Sequence, residues 1–413
     1  MKYLIAITLI SSLLLADMLT LEESITKALN NYPNIKIFQL KVQQSKSDLD
    51  NAKSDNLPQV NLQANYNISQ TYVFPANGQF NTLNDNGWNA GLFFKQKIWD
   101  FSKTTHKIEA FKIEEDISKL SLEEQKTLLV YQVKSLYNLL IVQKEAIEVR
   151  EKDIEVKEAY YQQALAFVKH GLKTNADASR FLSSIYIAKE NLAQSQSAYE
   201  KTKNALSLYI GEKIDNNIQL ENRLLDVTTA IPSEDEILDT NYQVKISNRN
   251  ISKNITLHKS AKASYYGSID AIASYNHIDT LNSYNSKFVG VSLTVPLYNG
   301  GKISSEVQKS AIGVQIANEQ KEATILALKK EILDSYSDIK EYRTTIEAKE
   351  VELQSSQETT KLLEGRYKNG LTTYIEVLDA ISLERDIKLG LLNTKYKLNN
   401  AIYKLQYLQG KSL

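Results

Sequence analysis

Side chains that could perform chemistry are few in this sequence, and they do not form a catalytic set. The chain contains no cysteine, which rules out disulfides, thiolate metal ligands and cysteine nucleophiles. Its four histidines lack the spacing of metal ligands and stand at His106, His170, His258 and His277. The carboxylates follow the spacing of solvated helix faces, which disfavours paired-carboxylate catalysis. The sequence therefore predicts neither an enzyme nor a cofactor or metal site.

The composition indicates long structural elements. Only five prolines and fourteen glycines occur in 413 residues, so the chain has few turns. A compact α/β enzyme of this size would need many more chain reversals. Lysine and arginine total 49 and aspartate and glutamate also total 49, so no basic excess is available to neutralise phosphates. Nucleic acid is therefore not an expected partner.

The N-terminus has the pattern of an export signal. Met1 and Lys2 precede an apolar run that ends at Leu15, followed by the small residue Ala16. We interpret residues 1–16 as a signal peptide. The alternative, a membrane anchor, is disfavoured because the run is too short for a bilayer core of about 30 Å.

The strongest feature is an internal repeat with a constant offset. Gly171-Leu172 recurs as Gly370-Leu371, an offset of 199 positions (370 − 171), and Tyr137 and Tyr336 have the same offset. We expect a first structural repeat at 17–211, a linker at 212–233 and a second repeat at 234–413.

Each repeat is predicted to contain the same order of elements: a helix, a β-hairpin, a very long helix, a turn and a return helix. Alternating polar and apolar residues indicate the strands, and stretches almost free of proline and glycine indicate the long helices. In the first repeat we expect a helix at 21–55, strands at 60–68 and 88–98 around a polar loop at 75–87, and a long helix at 102–169. In the second we expect a helix at 234–263, strands at 269–275 and 289–297 around a loop at 277–287, and a long helix at 304–368.

The strands have one apolar face, with aromatic residues near their ends. This pattern is typical of outer-membrane strands with one lipid face and one wet face. Four strands cannot close a barrel, so several chains would have to pool their strands. The elements alone thus predict a strand-sharing oligomer with a helical stalk.

Over almost the whole mature chain the sequence resembles the TolC family of outer-membrane efflux and secretion channels. The matching segments are LTLEESI at 19–25, LPQ at 57–59, PLYNGG at 296–301, RYKNGLTT at 366–373 and EVLDA at 376–380. The resemblance implies a mainly α protein with a β-barrel part. In that fold a homotrimer forms a twelve-stranded outer-membrane barrel, in contact with outer-membrane lipid, and a periplasmic α-helical barrel. It also implies a Gram-negative outer-membrane location, a periplasmic adaptor (a membrane fusion protein) and an inner-membrane pump as partners.

The resemblance also assigns candidate site residues at the two helix-turn-helix tips. Gly171, Leu172, Gly370 and Leu371 occupy the tips, where family members meet the adaptor. Glu376 and Asp379 resemble the acidic rings of the periplasmic entrance, where rings of carboxylates select for cations. Asp177 is the equivalent of Glu376 in the first repeat, and Tyr367 matches a gate tyrosine.

Each of these residues also has a purely structural interpretation. A glycine at a helix C-terminus adopts the left-handed conformation, and a leucine after it packs on the helix end. Acids near a helix N-terminus are favourable in any protein. The sequence departs from the family at Thr372, where family members can carry an arginine. Arg180, which occupies the position of Asp379 in the first repeat, could take the place of that arginine.

The predicted function is the passive outer-membrane exit duct of a tripartite efflux or type I secretion system, opened at its periplasmic tip by adaptor and pump docking. One alternative is a structural periplasmic coiled-coil protein without a pore. A general diffusion porin is disfavoured because it needs many more strands per chain.

Overall fold

The computed structural model describes residues 18–215, 218–221 and 230–411. The predicted signal peptide at 1–16 and part of the predicted linker at 212–233 lie outside these residues. The helices are α1 Leu21–Asn31, α2 Pro33–Ser54, α3 Lys103–Lys169, α4 Asn175–Ile210, α5 Glu234–Thr240, α6 Tyr242–Ala263, α7 Lys302–Lys368 and α8 Tyr374–Leu408. The strands are β1 Met18–Leu19, β2 Gln59–Ala76, β3 Gln79–Trp99, β4 Gln219–Leu220, β5 Ser268–Asp279 and β6 Ser283–Thr294.

The described residues divide into two compact units. The helical unit lies within Met1–Ile37, Glu123–Tyr242 and Leu326–Leu413, and includes α4, α8 and most of α3 and α7. The sheet unit lies within Phe38–Leu122 and Gln243–Ile325, and contains β2, β3, β5 and β6. Within residues 18–215, 218–221 and 230–411, no helix combines the length and the apolarity that a membrane crossing requires.

The long helices agree with the prediction. Helices α3 and α7 contain 67 residues each, and the return helices α4 and α8 contain 36 and 35. Continuous helix over these lengths follows from sequences that hold no proline and almost no glycine. Two helical hairpins result, α3–α4 and α7–α8.

The shorter helices differ from the prediction, because each is broken in two. The first breaks at Tyr32, since Pro33 lacks the N–H that a continuing helix needs and instead starts α2. The second breaks at Asn241, whose side-chain amide donates to the carbonyl of Leu408 at 2.7 Å. The predicted N-cap of α1 is confirmed, because the Thr20 hydroxyl accepts the backbone N–H of Glu23 at 3.1 Å.

The loops predicted inside the two hairpins are wrong in length. Strand β2 runs to Ala76 and β3 begins at Gln79, so Asn77 and Gly78 alone form the turn, both with positive φ. Asn-Gly is the usual pair for such a two-residue turn. Polar side chains of the expected loop pair across the strands instead, for example Thr71 Oγ1 with Asn84 Oδ1 at 2.6 Å. The second loop likewise shrinks to residues 280–282.

The four long strands form one antiparallel sheet in the order β2-β3-β5-β6. Its two outer strands, β2 and β6, have no neighbour on their free edges among the described residues. A separate two-stranded parallel sheet, β1 with β4, was not predicted.

Tyrosines at the same position of both repeats tie chain segments to the long helices. The Tyr137 hydroxyl of α3 donates to the carbonyl of Leu19 at 2.7 Å, and burial raises the pKa of Tyr137 to about 12. The Tyr336 hydroxyl of α7 donates to the carbonyl of Pro232 at 2.7 Å. These contacts give a structural role to two tyrosines that the sequence marks only as repeat positions.

Candidate functional site

The two hairpin tips have the same backbone geometry. Gly171 and Gly370 have φ values of 71° and 73°, and each helix ends in a Schellman motif. The N–H of Leu172 donates to the carbonyl of Phe167 at 2.9 Å, and the N–H of Leu371 donates to that of Arg366 at 2.8 Å. No described atom lies within 4 Å of a Cβ added at either glycine, so the positive φ is what requires glycine there.

Leu172 and Leu371 do not pack on the helix ends as leucines after such a glycine often do. Each of the two residues is 68% exposed. The structural interpretation therefore accounts for the two glycines but not for the two leucines, which leave an apolar side chain in solvent at each tip.

The acidic candidates lie just after the tips. The backbone N–H of Thr174 donates to Asp177 Oδ2 at 2.9 Å, and that of Thr373 donates to Glu376 Oε2 at 3.4 Å. Both acids thus belong to capping boxes at the starts of α4 and α8. Asp177 is buried, whereas Glu376 and Asp379 are exposed. Stabilisation of a helix N-terminus therefore accounts for the positions of Asp177 and Glu376. Glu376 and Asp379 also expose their negative charges to solvent.

Behind the tips lies a group of rings that we call the tip aromatic cluster: Tyr160, Phe167, Phe181, Tyr367 and Tyr374. Tyr367 is fully buried, and its ring meets the edges or faces of Tyr160, Phe167 and Phe181 with centroids 5.8–6.2 Å apart. Phe181 also stacks on Tyr160 at 5.9 Å. Because these side chains come from all four hairpin helices, the cluster holds the two tips together.

The polar atoms buried near the tips are not all satisfied. The Tyr367 hydroxyl and Thr372 Oγ1 are buried without a hydrogen-bond partner among the described residues. Burial raises the pKa of Tyr367, and the negative charge of Asp177 raises it further. Burial also raises the pKa of Tyr160, and the nearby Glu364 carboxylate adds to the effect.

The replacement of the family arginine by Arg180 stays a prediction. In the single chain the Arg180 guanidinium lies 6.0 Å from the ring centre of Tyr374, a cation–π distance.

The sheet has two chemically different faces. Val60 pairs with Phe94, Phe94 with Ala273 and Ala273 with Val289, so these four residues form one apolar row across all four strands. Both edge members, Val60 and Val289, are exposed. The apolar face predicted from strand alternation is therefore confirmed.

The opposite face of the sheet is mainly polar. Gln63, Gly91, Asn276 and Ser286 form a row through the same register. A Cβ at Gly91 would lie 1.7 Å from Asn276 Oδ1, so the close approach of this amide explains the glycine.

This combination of repeated hairpins and a two-faced sheet matches a known family. The outer membrane efflux protein family matches residues 24–212 and 243–411, which is most of the chain. The chain belongs to this family. It is 25% identical over 381 residues to the outer membrane protein TolC of Escherichia coli, an alignment that covers 84% of this chain and 73% of that protein.

Two solved structures share the fold of this outer membrane efflux protein. A membrane protein from Pseudomonas aeruginosa superposes with a TM-score of 0.85 at 17% identity, covering 95% of this chain and 90% of that one. The outer membrane protein VceC from Vibrio cholerae superposes with a TM-score of 0.82 at 16% identity, covering 95% and 96%.

The sequence did not reveal every residue that this outer membrane efflux protein brings together at the tips. The sequence pattern does not identify Tyr160, Phe167, Phe181 or Tyr374, although each lies within eleven positions of a tip glycine. An excess of aromatic residues near both glycines is the signal that would have found them. Among the described residues, no group of histidine and carboxylate side chains is arranged to hold a metal ion.

Proposed function

We propose that this outer membrane efflux protein is a homotrimeric exit duct of the outer membrane of a Gram-negative bacterium. Each chain contributes four strands to a twelve-stranded barrel and two helical hairpins to a periplasmic tunnel. The duct serves a tripartite efflux or type I secretion system and opens when an adaptor and a pump dock at the tips. The observation that carries this proposal is the four-stranded, two-faced sheet, whose two outer edges pair with no other strand in the part of the chain that the structure describes.

The free edges support strand sharing between chains. Unpaired N–H and C=O groups cannot be left in a bilayer, because no water is present there to satisfy them. The apolar row gives the sheet a face that fits lipid, while the polar face fits a wet lumen. Joining β6 of one chain to β2 of the next satisfies both edges at once.

The helical unit supports the same association. Ser135 of α3 and Tyr396 of α8 approach to 3.4 Å, and Tyr131 of α3 stacks on Tyr407 of α8 at 5.8 Å. The 199-residue offset relates α3 to α7 and α8 to α4, so α7 of one chain and α4 of another would form the equivalent contact. Both helices carry exposed large apolar residues in the single chain, at Leu182, Tyr186, Ile187 and Leu208 on α4 and Leu326, Leu333, Val351 and Leu362 on α7.

We assign separate roles to the site residues at the tips. Glu376 and Asp379 form acidic rings at the entrance, Asp177 and Tyr367 belong to the closed gate, and Gly171, Leu172, Gly370 and Leu371 form the surface for the adaptor. The exposure of Glu376, Asp379 and both leucines supports these roles.

Changing Glu376 and Asp379 together to alanine is expected to reduce cation selectivity, because the narrow entrance then loses its carboxylates. The measurement is the reversal potential of single channels in planar bilayers under a salt gradient. The matched control is Glu358→Ala, which removes an exposed α7 carboxylate away from the tip. Selectivity equal to that of the wild-type channel would reject the assignment of the two acids.

Leu371→Asp is expected to abolish efflux or secretion while trimers still form, since a charge replaces an exposed apolar contact for the adaptor. Export is measured in cells whose own channel is replaced by this protein and its cognate adaptor and pump. Retained export with normal trimers would count against docking at this tip.

The alternative is a periplasmic coiled-coil protein without a pore. It predicts a soluble protein that does not conduct ions. Heat-modifiable trimers in the outer-membrane fraction would exclude it.

A further inference from the structure

Where the strands of the sheet meet the helices, its apolar face continues into a chain of three aromatic rings. Trp99 pairs with Ile269 and Ile269 with Leu293, so these residues share the face of the apolar row, which lies an even number of positions away along β5 and β6. The Phe101 ring lies 6.2 Å from that of Trp99 and 5.3 Å from that of Tyr266, measured between ring centres. All three aromatic residues are exposed. Aromatic residues at the end of an apolar face are typical of the boundary between lipid and water.

The Phe101 ring is held in this chain at a cost to the backbone. Phe101 and Ser102 have φ values of 56° and 68°, which residues other than glycine rarely adopt. The equivalent positions of the second repeat, at the same offset of 199 (300 − 101), are Gly300 and Gly301, with φ values of 65° and 83°. Glycine makes the same bend without strain. The bend therefore does not explain Phe101, whereas the contacts of its ring do.

Three exposed lysines lie at the same junction of strands and helices. The Ser260 hydroxyl of α6 donates to the backbone carbonyl of Lys103, the first residue of α3, at 2.8 Å. Lys259 and Lys262 stand on either side of Ser260, and Tyr266 follows four positions after Lys262. Because this hydrogen bond joins the end of α6 to the start of α3, it places all three lysines at the level of the aromatic chain.

The positive charge of these lysines is not balanced locally. None of the three forms an ion pair within residues 18–215, 218–221 and 230–411. Carboxylates at the ends of the neighbouring elements are not available to them: Asp100 and Asp270 are buried, and Asp55 pairs with Lys107 at 2.8 Å. Helix α6 itself holds four lysines, one arginine and no carboxylate. This end of α6 is therefore positive in a chain whose net charge is zero.

The first repeat does not carry the same charge. Helices α2 and α6 both contain 22 residues and begin at positions 33 and 242, an offset of 209 (242 − 33). At this offset Asp50 takes the place of Lys259. It pairs at 2.8 Å with Lys53, the equivalent of Lys262. Duplication alone therefore does not account for two unpaired lysines at the end of α6.

We propose that Lys103, Lys259 and Lys262, beside Phe101 and Tyr266, form a binding surface for the head groups of anionic phospholipids in the periplasmic leaflet of the outer membrane. The inference rests on the proposed function, which sets the apolar face of the sheet in lipid. The rings lie at the lipid boundary, and the lysines supply the charge that complements a lipid phosphate. Each lysine near an anionic membrane surface strengthens binding about fivefold.

Tryptophan fluorescence tests this surface directly, because the chain has only two tryptophans. Trp88→Phe leaves Trp99 as the reporter beside the lysines. Full-length trimers are reconstituted in phosphatidylcholine vesicles that contain brominated phosphatidylglycerol or brominated phosphatidylcholine, and quenching gives the relative binding of the two lipids. We expect a preference of about tenfold for phosphatidylglycerol, which falls to about one when Lys103, Lys259 and Lys262 are all changed to Gln. If that variant does not assemble, the pair Lys259→Gln and Lys262→Gln replaces it.

Two controls accompany the measurement. Changing Lys201, Lys340 and Lys361 to Gln removes three exposed lysines that form no ion pair in the described part of the chain and lie on α4 and α7, far along the chain from the strands. This variant should keep the full preference. Trp99→Phe leaves Trp88 as the reporter, eleven positions away along β3, and its quenching should not distinguish the two lipids.

The outcomes separate this surface from the proposed function. Equal quenching of Trp99 by the two brominated lipids would overturn the surface, as would a preference that survives loss of the three lysines or is lost equally in the lysine control. Displacement of phosphatidylglycerol by inorganic phosphate at constant ionic strength would assign the lysines to a soluble anion and overturn the lipid. A protein whose Trp99 is quenched by neither lipid does not enter the bilayer, which would overturn the proposed function itself.

Discussion

Under the proposed function, Tyr367→Ala is expected to release the closed tip. The Tyr367 ring is fully buried and contacts three other rings of the tip aromatic cluster, which come from both hairpins. Removing a buried aromatic ring of this size costs about 3–5 kcal/mol, because apolar contact is lost and a cavity remains. Hydrogen exchange in the purified trimer should therefore become much faster for amides at 160–181 and 364–381, with no change in the sheet unit.

Tyr367→Phe is the matched control for this prediction. It removes only the hydroxyl, which finds no hydrogen-bond partner in the part of the chain that the structure describes. Loss of an unpartnered buried polar atom is nearly neutral or stabilising. Exchange in Tyr367→Phe should match the wild type, and exchange as fast as in Tyr367→Ala would show that the hydroxyl, not ring burial, closes the tip.

Val289→Arg is expected to impair insertion into the membrane. Val289 ends the apolar row on the free edge strand β6 and is 86% exposed in the single chain. Under the proposed function this face contacts lipid, where an arginine near the middle of the bilayer costs about 2–4 kcal/mol. The free energy of folding into phospholipid vesicles, measured by urea titration, should fall by that amount.

Ser286→Arg provides the comparison on the other face of the same strand. Ser286 lies opposite Asn276 in the polar row, where the proposed lumen keeps a charge hydrated. Its folding free energy should change by less than about 1 kcal/mol. Equal losses for the two variants would contradict the assignment of one face to lipid and the other to water.

Local sequence patterns predicted the long helices and the two faces of the strands. The 67-residue helices follow from stretches without helix breakers, and the strand faces follow from strict alternation. The errors also have local causes. The pattern of apolar residues does not show the break at Pro33 or the two-residue turn at Asn77-Gly78, and it predicts a loop for polar residues that in the structure pair across strands.

The candidate site was predictable only in part. Gly171 and Gly370 could be located because an αL helix end requires glycine and the repeat places it twice. The tip aromatic cluster could not be derived in this way, since Phe181 and Tyr367 are 186 positions apart (367 − 181). Periodicity indicates which face of a helix is apolar, but it does not indicate which distant helix covers that face.

By itself, the sequence determined the duplicated order of elements, the tip glycines and membership of a channel family. These depend on residue type and spacing along the chain. Only the tertiary structure decided which side chains meet between the hairpins. The pairing of Asp153 with Arg385 and the burial of Tyr367 depend on the packing of separate helices, and no spacing within one helix encodes that packing.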